Sequence, residues 1–168
     1  VDVPALDGVV FIDSKKSKVD IVQAVGRAIR KTGDKTYGTI VLPIFIGDGQ
    51  DADAELSQSR FSVIWDCLNA LRAHDEVLAE ELDNVRTKLG RHGDFDGFPP
   101  KIGFDLPKRI SSEFAAAFQV RLLETVTASW MFWFGLLEVY KEREGDCSVP
   151  QSYKTDSGHP LGSWCSTQ

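Results

Sequence analysis

The chain has 168 residues, 42% of them apolar, and a net charge of −6, so it reads as a soluble globular chain with room for one ordinary domain or one and a half small ones. No apolar run approaches the roughly 20 residues that span a bilayer, and the first residues lack the basic and apolar regions of a signal peptide, so no membrane is expected and a cytoplasmic address follows by default. Cys67, Cys147 and Cys165 are odd in number and far apart in sequence, and His74, His92 and His159 are isolated, so neither a disulfide framework nor a metal cluster is expected.

The chain opens on Val1, without an initiator Met, in a strand-like run and closes on Gln168 in a helix-like pattern; it reads as a fragment of a longer protein. Val9-Val10-Phe11-Ile12 is an unbroken apolar run ended by Asp13, as a strand covered on both faces would read. A polar turn, Ser14-Lys15-Lys16-Ser17, leads into a helix from about Val19 to Lys31, and Thr32-Gly33-Asp34 breaks it. A second apolar run follows, from Thr39 to Ile46, with Pro43 marking an end, a bulge or an edge. The result is a strand, helix, strand unit with parallel strands and a right-handed crossover.

On that helix Gln23, Arg27 and Arg30 fall on one stripe at about 100° per residue, and Ile21, Val22, Val25, Ala28 and Ile29 fall on the opposite one. Gly26 costs roughly 1 kcal/mol against Ala in a helix interior, which suggests that something approaches the backbone closely there. The stripe is either a solvated amphipathic face or a phosphate-binding surface beside the carboxyl ends of the strands. Residues 1–40 hold seven Lys/Arg against five Asp, leaving +2, and the remaining 12 against 20 leave −8. Only the first segment has the sign expected of a phosphate-binding surface.

Asp48, Asp51 and Asp53 crowd a stretch that lacks the EF-hand spacing, with Ser59 at the twelfth position counted from Asp48, so a solvated linker is expected. From about Ser59 to Leu89 a long helix is expected, its seam formed by Ile64, Leu68, Leu71, Asp75, Leu78, Leu82, Val85 and Leu89 at spacings of four and three. Asp75 either contacts something across the seam or marks a bend. The breaker-rich Gly90 to Pro100 separates two helical arms. Ser111 or Ser112 caps the next helix with Glu113 in its first turn, and Thr125-Val126-Thr127 brings a bend or a new helix near Ser129. Trp130, Trp133 or Phe134, Leu137 and Tyr140 recur at helical spacing, as a packed aromatic core or a base-stacking platform would. Gly145 closes that helix, and Pro160 to Cys165 starts another.

Val1-Asp2-Val3-Pro4-Ala5-Leu6-Asp7-Gly8-Val9-Val10-Phe11 resembles motif V of superfamily 2 helicases, and Gln23-x-x-Gly26-Arg27-x-x-Arg30 resembles their motif VI. The stretch Val63 to Asp75 resembles a bacterial subgroup of predicted DEAD/DEAH-type helicases. Trp130 to Gly145, Val149-Pro150 and Leu161-Gly162-x-Trp164-x-x-x-Gln168 resemble the first part of a helicase-associated repeat.

The resemblance implies an α/β fragment, a parallel strand, helix, strand unit of a RecA-like lobe, followed by a mainly helical region, with helix dominating overall. It implies residues 1–47 as the second half of the C-terminal RecA-like lobe, 48–128 as a helical connector with a loop near 90–110, and 129–168 as a partial helicase-associated domain. By the same resemblance Arg27 and Arg30 reach the γ-phosphate of ATP, Gln23 positions the phosphate or the attacking water, and Asp2 and Gly26 belong to the nucleotide site. The resemblance further implies that ATP and Mg²⁺ are held mainly by a missing N-terminal lobe and that the nucleic acid is DNA in preference to RNA, a choice the residues themselves leave open. No GxxxxGK[ST] loop and no DE-x-H box occur in these residues, so an isolated fragment is expected to be inactive. The competing expectation is a non-catalytic segment of a restriction or defence-type protein, binding nucleic acid or protein around Trp65, Trp130 and Trp164.

Overall fold

Gly8–Val10 (β1) and Thr39–Val41 (β2) pair in parallel with Gly8 opposite Thr39, Val9 opposite Ile40 and Val10 opposite Val41. They belong to a computed structural model that describes residues 8–11, 18–30, 33, 36–42, 61–106 and 110–168. The Phe11 amide extends the pairing by donating to the Val41 carbonyl at 3.0 Å. Helix α1 (Lys18–Ala28) lies between the strands in sequence, so the expected parallel unit is present. The expected second half of β2, the turn 14–17 and the acidic stretch 47–55 lie outside the described residues.

By density of contact the chain divides into two compact units, residues 1–79 with 106–122, and residues 80–105 with 123–168. In the first unit, helix α2 (Ser62–His74) packs on α1. Ile21 and Val25 of α1 join Phe11 and the Val63, Cys67 and Ala70 face of α2 in one buried cluster. Val9 and Ile40 lean on this cluster from one face of the sheet. The other face is open, with Val10 54% and Val41 45% exposed. The sequence had suggested strands covered on both faces; the helices here cover one.

The long helix expected from Ser59 to Leu89 is two helices. After α2 the backbone at Asp75 turns extended, with φ −137° and ψ 99°, and α3 (Glu76–His92) begins. The bend that Asp75 could mark is observed. The second helix also runs past Gly90 to His92, because that glycine is packed rather than a breaker.

Helix α4 (Ser112–Val126) is capped by Ser111, whose Oγ accepts the Phe114 amide at 3.1 Å. Hydrogen bonds from its own backbone amide first, then from the Ser111 and Ser112 hydroxyls, hold the Glu113 carboxyl below its ordinary range. Thr127 ends that helix, its buried hydroxyl donating to the Leu123 carbonyl at 2.6 Å. A new helix, α5 (Ser129–Glu144), then starts where the sequence placed it, and Gly145 at φ 88° closes it. In the second unit α5 and the short α6 (Leu161–Cys165) build a core on Leu136, Tyr140 and Leu161. Among the described residues helix dominates, beside one small parallel sheet.

Candidate functional site

Helix α1 splits its side chains as its pattern dictates, but it ends at Ala28, short of the expected Lys31, so Ile29 and Arg30 follow just past its C-terminus. Ile21, Val25 and Ala28 are buried, Val22 and Ile29 are half-buried, and Gln23, Arg27 and Arg30 are exposed. The stripe thus holds one amide and two guanidiniums toward solvent. Guanidiniums carry planar forks of donors and no acceptor, and such a face can take the oxygens of a phosphate or the backbone of a nucleic acid. Asp2, the remaining candidate from the sequence, lies outside the described residues.

Gly26 has a specific neighbour. A Cβ built there would lie 3.2 Å from Nε2, 3.5 Å from Cε1 and 3.7 Å from Cδ2 of His74. The close approach that a mid-helix glycine signals is made here by an imidazole at the end of α2. The sequence offered His74 only as an isolated histidine, and nothing local could have linked positions 26 and 74.

The second unit carries another concave surface. A cleft of about 900 Å³ runs between α3 and α5, with Lys88, Arg91 and Glu80 on one wall and Trp130, Phe134 and Glu138 on the other. Two glycines bring these helices together. A Cβ on Gly135 would run into the Thr87 carbonyl, and one on Gly90 into the Phe132 carbonyl. Arg91 bonds Glu142 at 2.6 Å and Glu138 at 3.3 Å across the same crossing. The buried Arg86 sits 4.9 Å from the Phe132 ring centroid and bonds Glu124 at 3.2 Å.

The aromatic residues divide between the two expected roles. Trp133 stacks on Trp164 with centroids 5.7 Å apart and planes 10° apart, and both pack against the core. Trp65 is stacked between Phe61 and Phe118, at 6.1 and 5.9 Å. Trp130 is different: it stacks on Phe134 at 5.0 Å yet stays 44% exposed at the cleft. Of the three tryptophans named as possible docking points, Trp130 alone presents a large open face.

The three cysteines are free thiols. Burial, aided by Asp66, pushes the Cys67 thiol up to about 12. No helix among the described residues is long and apolar enough to cross a membrane.

Residues 127–168 match the helicase associated domain family. No curated protein sequence matches the chain. Among solved structures, the chain is similar to one described as the ATP-dependent Type ISP restriction-modification enzyme LlaBIII bound to DNA. Identity is 28% and the TM-score 0.58, over 90% of this chain and 11% of that one. The chain therefore spans about a ninth of that enzyme's length. These two likenesses, one confined to the C-terminal quarter and one running through nearly all of the residues, mark the chain as helicase-related.

Proposed function

We propose that the chain is part of an ATP-dependent DNA helicase or translocase and supplies arginine fingers to ATP bound by another lobe of the same protein. The observation that carries the reading is the exposed Gln23 and Arg27 on a helix between two parallel strands, with the exposed Arg30 two residues past that helix's end. The likeness to an ATP-dependent, DNA-bound restriction enzyme supports ATP as the nucleotide and DNA rather than RNA as the track. Under this reading Val1 to Phe11 and Gln23 to Arg30 are motifs V and VI of a superfamily 2 motor. Residues 1–47 then end the C-terminal RecA-like lobe, 48–128 connect, and 129–168, inside the matched segment, begin a helicase-associated domain.

The chemistry fits the residues. Phosphoryl transfer asks the protein mainly for positioning and charge stabilisation, and an arginine supplied in this way raises turnover by about 10³–10⁵. Arg27 and Arg30 would hold the terminal phosphate oxygens, Gln23 would orient the phosphate or the attacking water, and Asp2 and Gly26 would lie beside the nucleotide. Magnesium would be held between the phosphates and the lobe that binds them. In the full-length protein, assayed for ATP hydrolysis with saturating DNA, Arg30→Ala should lower kcat at least about a hundredfold while changing the KM for ATP far less. Near-normal turnover would remove the assignment.

The exposed face of Trp130 on its cleft favours a second reading, a non-catalytic segment that docks nucleic acid or protein. It expects Arg30→Ala to leave turnover unchanged and Trp130→Ala to abolish binding of a fluorescent oligonucleotide or of the protein partner.

A further inference from the structure

A glycine in the interior of α1 makes that helix less stable than an alanine would by roughly 1 kcal/mol, so some contact must make a methyl group unwelcome. The three heavy atoms nearest a Cβ at position 26 all belong to the imidazole of His74. Position 26 adjoins Arg27 in sequence and, at about 100° per residue, lies about 60° around the helix from Gln23. The imidazole therefore borders the exposed stripe. It also continues a seam: Ile21 and Val25 of α1 pack with Val63, Cys67 and Ala70 of α2, and His74 extends that line to its polar end.

We propose that His74 is a positioning residue for the arginine stripe, its imidazole edge seated on Gly26 so that α1 is held at a fixed rotation and height beside Arg27 and Arg30. The proposal rests on the reading of that stripe as phosphate-facing. It gives Gly26, which lies beside the nucleotide in that reading, a packing contact with His74 as the reason for its missing side chain. A planar ring on a glycine gives a close, oriented contact that an alanine would push away by a few tenths of an ångström. Small displacements matter at such a site, because a misplacement of about 1 Å remote from the chemistry can cost about a hundredfold in rate.

The test is a double-variant cycle in the full-length protein, with ATP hydrolysis measured under saturating DNA and melting temperature measured alongside. His74→Ala should lower kcat about tenfold with KM for ATP within about twofold, since the exposed, polar end of the α1–α2 seam loses its contact while the buried Ile21 and Val25 packing and the phosphate-facing groups are intact. Gly26→Ala should lower kcat by displacing the ring. Gly26→Ala combined with His74→Ala should lower kcat by less than the two single losses combined, because the clash disappears with the ring. His74→Phe, which keeps a ring edge over the glycine, should stay near the wild-type rate.

Unchanged turnover in His74→Ala, with turnover impaired in Arg30→Ala, overturns the positioning role alone. So does a Gly26→Ala variant whose KM for ATP rises and is not relieved by His74→Ala, since the glycine then serves nucleotide approach. Normal turnover in Arg30→Ala removes the phosphate-facing stripe and this proposal together. If His74→Ala melts below the assay temperature, Gly26→Ala decides in its place: a lowered kcat with KM for ATP unchanged supports the positioning role, and an unchanged kcat or a raised KM overturns it.

Discussion

The Asp75 carboxylate accepts the Leu78 amide at 2.9 Å. This bond converts a polar interruption in an apolar seam into the start of a new helix. The Asp75 carbonyl opens the ladder of α3 by accepting the Ala79 amide at 3.0 Å, and the side chain satisfies a first-turn amide that has no partner within the helix. Leu78 is thereby turned inward, 4% exposed. Asp75→Ala should destabilise the chain by about 0.5–2 kcal/mol, and Asp75→Asn by far less, since an amide oxygen caps nearly as well. Urea unfolding of the two variants checks this, and equal stabilities for Ala and Asn would show the cap to be idle.

What the sequence disclosed and what it hid separate along the range of the interactions involved. The parallel pairing of β1 with β2, the exposed Gln23, Arg27 and Arg30, the Ser111 cap, the break at Thr127 and the Gly145 terminus all follow from periodicity and local backbone chemistry. The bend at Asp75 needed the backbone itself. Gly90 illustrates what is hidden: by composition it opens a loop, but it lies inside α3 against the Phe132 carbonyl. A glycine that breaks a helix and one that admits a neighbouring helix look alike in one dimension. The same ambiguity concealed His74, whose relation to Gly26 exists only once α2 has folded back on α1.

Gly135 and Gly90 allow that distinction to be measured. Alanine would raise helix propensity by roughly 1 kcal/mol at either site. At Gly135, however, the added methyl would meet the Thr87 carbonyl and come within 3.1 Å of the Arg91 amide, both of them backbone, so the helices must part. Overpacking of this kind costs about 1–3 kcal/mol, and lost packing around Arg91 and Phe132 adds to it. Gly135→Ala should therefore lower the melting temperature, whereas Gly103→Ala, with nothing within 4 Å of the new methyl, should leave stability within about 0.5 kcal/mol. A higher melting temperature for Gly135→Ala would show that propensity wins and that the crossing is loose.

Cys67 gives a pH dependence with a definite sign. Burial, with a smaller contribution from Asp66, moves its thiol from an ordinary 9.0 up to about 12. A thiol whose folded value is raised is protonated in the folded chain when it has already ionised in the unfolded one. Its contribution to stability is complete below about pH 9 and is lost as pH rises from there toward about 12. Cys67→Ala should flatten this alkaline part of the stability profile while lowering stability at neutral pH through the lost packing. Native-state alkylation at pH 8, read by mass spectrometry, should modify the exposed Cys147 and spare Cys67. Rapid labelling of Cys67 would show that α1 and α2 part readily.

The polar stripe on α1 and just past its end makes a prediction about shape as well as charge. If Arg30 meets charge that develops on the phosphate during hydrolysis, a planar fork reaching two oxygens at once is what the reaction requires. Arg30→Lys keeps the positive charge but offers a compact ammonium on a shorter reach, so it should restore little of the kcat lost in Arg30→Ala. Gln23→Ala should be milder than either, because an amide that orients a phosphate or a water carries no charge to lose. A solvated face expects something else: all three substitutions would leave turnover within about twofold, as surface changes usually stay within about 0.5 kcal/mol. Steady-state hydrolysis at saturating ATP and DNA separates these outcomes. Full activity in Arg30→Lys together with a large loss in Arg30→Ala would mean that charge alone suffices, and that the guanidinium binds the phosphate without following the transition state.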